Sequence, residues 1–210
     1  MSFAEGRVGL RGVLSPGSPG ELRLGKTAEL IVGDAGLGKY FEAVRNGLVF
    51  FACTQAGVAL TTTLSATATG IILSNPAGSG KNLVLLDFLA ALTTAPAGVA
   101  TLGWAAQFGS PTPTGVTHTT PLTVRNALLG DGSIGVGLCD SSATLPNTPV
   151  AVRPIPGGPV ATGSITPPFI RDEIDGALIV KPGCSVNTFC LTTAISALLA
   201  LWWAEIPEGL

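Results

Sequence analysis

The sequence predicts an all-β fold, a jelly-roll-like antiparallel β-sandwich with an extended N-terminal arm. Three observations predict it. Short runs of strand-forming residues recur between Gly- and Pro-rich turns along most of the 210 residues, which is the pattern of a sandwich or barrel. Glycine (28) and proline (16) punctuate the chain without dominating it, and 46% of residues are hydrophobic, so a core can form. Charge is sparse: 11% of residues carry it, against about a quarter in an ordinary soluble protein. Between Arg45 and Arg125 the only charged side chains are Lys81 and Asp87.

Residues 1–23 read as the arm. The segment Ser15-Pro16-Gly17-Ser18-Pro19-Gly20 holds no apolar period and suits a chain that lies extended on a partner. Residues 24–210 read as a single sandwich domain. Ala28 to Val32 is a first strand. Tyr40 to Arg45 is a short helical turn or an irregular connection. Leu48 to Cys53, Val58 to Leu64 and Gly70 to Ser74 are strands by composition, and Asn75 to Gly80 is a loop by its turn residues. Asn82 to Ala91 is a long apolar strand whose one charge, Asp87, needs a partner if buried.

The middle is less regular. Ala97 to Phe108 reads as a strand pair and Ser110 to Gly115 as a loop. The proline-rich stretch 141–168 reads as extended connection and sheet edge. Ala177 to Val180 and Ser185 to Leu191 flank a Lys181-Pro182-Gly183 turn. The apolar run Ala197 to Ile206 is a buried strand or a helix by periodicity alone; the Thr-rich approach and Pro207 favour the strand. In a strand, Trp202 and Trp203 point to opposite faces, so one fills the core and the other meets a second layer or a neighbouring chain.

Several function classes find little support. Net charge is −2, without the basic face a nucleic-acid partner requires. No apolar stretch approaches the ~20 residues of a membrane span. No basic segment followed by an apolar one marks a secretory leader, so synthesis in a cytoplasm is expected. Neither a metal nor a cofactor is expected. The one histidine, His118, stands in a Thr-rich segment without further ligands nearby in sequence and reads as a loop residue. Gly33 to Lys39 begins like a phosphate-binding loop, but Tyr40 stands where Ser or Thr is needed; Gly78-Ser79-Gly80-Lys81 lacks the first glycine. Asp172, Glu173 and Asp175 form the one tight acidic cluster and read as a solvated turn before a strand. Cys53 and Cys139 read as small core residues. Cys184 and Cys190, six apart, would face one way along a strand about 20 Å apart, too far to bond to each other.

The stretches Gly38 to Phe50 and Leu73 to Leu85, together with Trp203-Ala204-Glu205-Ile206-Pro207, resemble a group of tailed-bacteriophage virion proteins. Those are jelly-roll-type proteins that decorate capsids or form fibre and tail parts. The resemblance implies a non-enzymatic structural protein, a head decoration or cement protein, located in the virion. Its partners would be the major capsid protein or other virion proteins, and its own copies in a trimer. It carries over no catalytic residue. Arg7 and Arg11 in the arm, with Trp202 and Trp203, are the candidate assembly contacts. Two rivals remain: a tail-fibre module that binds a receptor or glycan, and an enzyme acting through Asp172 or Glu173.

Overall fold

The computed structural model describes residues 38–108, 115–157 and 169–209. The expected arm, with Arg7 and Arg11, and the expected strand at 28–32 lie outside the described residues. Two antiparallel sheets, both within the unit Ala43–Leu210, form a sandwich. The first sheet runs β10 (Phe169–Glu173), β4 (Lys81–Leu92), β13 (Ser196–Pro207), β1 (Val49–Cys53), β7 (Arg125–Asn126). Two short strands join it, β11 (Ile179–Val180) on β4 and β2 (Val58–Ala59) on β13. The second runs β6 (Thr117–Pro121), β8 (Leu138–Thr144), β3 (Thr67–Ser74), β12 (Ser185–Leu191), β5 (Thr101–Gln107), β9 (Val150–Ile155). One helical turn, α1 (Phe41–Arg45), leads into β1.

Eight strands make the frame: β1, β3, β4, β5, β9, β10, β12 and β13. Counted in that order, they lie as 1-8-3-6 in one sheet and 2-7-4-5 in the other. First pairs with last, second with seventh, third with sixth, fourth with fifth. This is a long hairpin rolled into two layers, the topology of a jelly roll. The hairpin's turn, between β5 and β9, carries an insert. Its strands extend both sheets: β7 adds beyond β1, while β8 and β6 add beyond β3.

The core lies between the sheets and is filled by Trp104, Trp203, Phe88, Ile71, Leu73 and Leu85 among others. Each such side chain contributes roughly 1.5–3 kcal/mol on burial. In β13, Ala197, Leu199, Leu201 and Trp203 keep strict inward parity. Opposite them β4 slips by one residue, since Trp202 pairs with Asp87 and Trp203 with Leu85. Leu86 is the extra residue of that bulge. It lets Leu83 and Leu85 face inward on one side of the slip and Phe88 and Ala90 on the other. Pro121 and Pro154 stand in β6 and β9, both edge strands, where a missing N–H costs no ladder bond.

Four expectations need correction. Only Val58–Ala59 of the expected strand 58–64 is a strand; Leu60 and Thr61 instead bond to Ile195 and Thr69 outside a ladder. Residues 97–108 give one strand, β5, because the chain bends at Ala97-Gly98 before it. Cys53 is half exposed, since the parity that turns Phe50 and Ala52 inward turns Phe51 and Cys53 outward. Asp172 and Glu173 belong to strand β10, not to a turn. Cys139 is buried as expected; Cys184 and Cys190 both contact the core, and none of the four cysteines forms a disulfide.

Candidate assembly surface

The two tryptophans face as their adjacency requires. Trp203 is buried in the core, and its indole N–H donates to Glu205 Oε1 at 3.3 Å. Trp202 is half-buried on the outer face of the first sheet and stacks on Phe51, with ring centroids 6.1 Å apart. It stands in a cross-strand row of Glu173, Asp87, Trp202, Phe51 and Arg125. Asp87 finds its partner there: Arg171 grips it through Nε and Nη2, the latter at 2.8 Å, and also reaches Glu173 at 3.0 Å.

Three buried carboxylates organise the rest. Asp172 faces inward from β10 and is 2% exposed. It accepts the Trp104 indole N–H at 2.9 Å and an Arg153 N–H at 2.6 Å. Both donors belong to the second sheet, so this carboxylate pins one layer to the other. The sequence reading of a solvated turn missed it because the partners lie far away in the chain. Glu205, 1% exposed, accepts from Lys81 Nζ at 3.1 Å and from the backbone N–H groups of Val136 and Gly137, each at 2.9 Å. Backbone approaches this close only because the residues are small. A Cβ on Gly135 would lie 2.6 Å from Glu205 Oε1, and one on Gly137 3.0 Å from Trp203 Nε1. Glu205 thereby fixes the insert to β13.

The third is Asp140 in β8, fully buried, with Oδ2 2.6 Å from His118 Nδ1 and Oδ1 without a hydrogen-bond partner. His118 thus stands in edge strand β6 rather than in a loop. The pair is an acid–imidazole couple beside a shallow cavity of about 150 Å³ lined by Ser74, Gln107, His118 and Cys184. Burial pushes the Asp140 carboxyl above its ordinary value, and the His118 hydrogen bond and charge pull it back only in part. The native state therefore holds this proton more tightly than the unfolded chain. Asp140's contribution is fully present below about pH 4, its unfolded value, and is lost as pH rises through its higher native value. Asp140→Asn keeps an acceptor for His118 and should flatten that part of the stability–pH curve, measured by urea unfolding. A mutant curve parallel to the wild type would contradict this.

The segments around Leu48, Lys81-Asn82 and Glu205-Ile206 converge in space. Glu205 N–H donates to Leu48 O, Glu205 pairs with Lys81, and Ile206 pairs with Asn82. The most exposed apolar side chains lie elsewhere. Leu129 and Ile134, on the loop between β7 and β8, are 82% and 88% exposed, and Phe108 is 65% exposed. No three His, Cys, Asp or Glu side chains gather into a metal-binding group among the described residues, and no helix there is long and apolar enough to cross a membrane. No protein-family model, curated protein or solved structure matches the chain.

Proposed function

We propose that this chain is a non-enzymatic structural subunit of a tailed-bacteriophage particle, a decoration or cement protein that sits on the head and bridges coat subunits. The observation that carries the reading is large, nearly bare apolar side chains on a charge-poor jelly roll. Leu129 and Ile134 would each lower the free energy by roughly 1.5–3 kcal/mol if covered. Interface cores are depleted in charge in the same way as this chain. The jelly roll itself is a frame used by viral capsid domains, though also by lectins and cupins, so fold alone does not select the role. The resemblance of Gly38 to Phe50, Leu73 to Leu85 and Trp203 to Pro207 to virion proteins is what favours a virion in this reading.

A cement protein acts by binding the assembled shell and not its dissociated parts, which stabilises the shell by mass action. Imaging of intact particles tests the location. Density for this fold on the head surface, at contacts between coat subunits, is the expected result. Density on the tail fibre would replace the reading with the receptor-binding one, and absence from particles would end both.

A further inference from the structure

We infer that the chain closes into a ring through one heterologous contact, in which the β7–β8 loop of each copy enters an apolar groove on the opposite edge of the next. The ring rests on the reading of the chain as an assembling subunit and specifies how its copies meet.

The loop is built to project. Leu128 N–H donates to Asn126 Oδ1 at 2.8 Å, Asp131 N–H to Leu128 O at 3.0 Å, and Ser133 N–H to Asp131 Oδ1 at 2.8 Å. The Asn126 amide ties Ser133 Oγ and Gly47 O, at 2.9 and 2.8 Å. At the loop's far end Glu205 holds Val136 and Gly137. A loop with this many internal bonds is ordered before it binds, so little entropy is lost when its tip is covered. Its tip carries Leu129 and Ile134, with Asp131 between them.

The groove lies at the other edge, between the end of β5, strand β9 and strand β11. It is about 300 Å³ and is lined mainly by Phe108, Val152, Leu178, Ile179 and Val186, with Lys181 at its rim. Ile179 is 56% exposed and Val152 38%. An apolar groove with one base matches an apolar loop with one acid. Lys181 is 68% exposed and only loosely held by Glu208 at 3.8 Å, so it is free to turn toward Asp131 of the neighbouring copy.

Their placement makes the contact ring-forming. One cross-strand row runs Ile179, Val84, Ala204, Val49, and Ala127 N–H at the loop's root donates to Val49 O at 2.8 Å. Groove and loop therefore stand at one level of the sandwich, roughly 19 Å apart at a strand spacing of ~4.8 Å. A contact between two different patches gives a ring where the rotation closes and a filament where it does not. Patches at equal height give little rise per copy, so closure is favoured.

The test uses two variants of the full chain. Leu129→Asp/Ile134→Asp spoils the loop and keeps the groove; Ile179→Asp spoils the groove and keeps the loop. All three positions are more than half exposed, and far-ultraviolet circular dichroism checks that both variants fold. By sedimentation equilibrium, the wild type should be a closed ring of three or more copies and each variant a monomer. An equal mixture of the two variants should give dimers and nothing larger, because only one intact loop and one intact groove remain per pair. A monomeric wild type, variants that still form the ring, or a mixture that stays monomeric would each overturn the proposal. None of these outcomes depends on where the protein sits on a particle, so the ring fails or stands separately from the virion reading.

Discussion

Replacing Glu205 by Ala should destabilise the fold by about 3–5 kcal/mol, the usual cost of removing one partner from a buried charge-assisted network. The side chain is fully buried and answers four donors: Lys81 Nζ, the Trp203 indole N–H, and the backbone N–H groups of Val136 and Gly137. Truncation leaves two backbone donors and an indole without an acceptor and opens a void beside Trp203. Glu205→Gln keeps the shape and one oxygen, so its loss should be smaller. Because Val136 and Gly137 root the β7–β8 loop, Glu205→Ala should also speed amide exchange at 128–137 ahead of global unfolding. Urea denaturation with a fall under about 1 kcal/mol, the range of an ordinary surface pair, would show that the network does not hold the insert.

Asp172→Ala should rank next, at about 3 kcal/mol. Asp172 pairs with Phe88 across the β10–β4 ladder. The Phe88 ring meets Trp104 edge-on, with centroids 5.1 Å apart, and the Trp104 N–H returns to Asp172. Loss of the carboxylate leaves this buried indole N–H without an acceptor and deprives the partly exposed Arg153 guanidinium of its partner. The double change Asp172→Ala/Arg153→Ala should recover part of the loss, because the unpaired cation goes with its partner. Fully additive effects in urea unfolding would mean that Arg153 already satisfies itself in solvent.

Much of the frame is legible in residue order. Apolar and strand-forming runs between Gly/Pro turns mark β1, β3, β4, β12 and β13, and the adjacency of Trp202 and Trp203 assigns one to the core and one to the outer face. Composition also places Pro154 at an edge. The eightfold pairing order is not legible, because strand partners such as Val49 and Ala204 are set by packing between distant segments. Long-range polar partners escape for the same reason. Asp172 looks like a surface acid in sequence; packing between distant strands brings Trp104 to it, as it brings His118 to Asp140 and Lys81 to Glu205. The residues 97–108 fooled periodicity because a buried strand and its turn are both apolar and glycine-containing. The proposed contact loop left a partial signal, since Leu128-Leu129-Gly130-Asp131-Gly132 sets two leucines into a turn-rich segment where water would otherwise be expected.

Particles assembled without this protein offer the sharpest test of the proposed role as a stabiliser of the head. Purified full-length protein is added back, and genome release is followed as temperature rises. Binding to the head and a clear upward shift of the release temperature are the expected result, saturating when the sites on the shell are filled. Release at an unchanged temperature, with the protein bound or unbound, would contradict a cementing function.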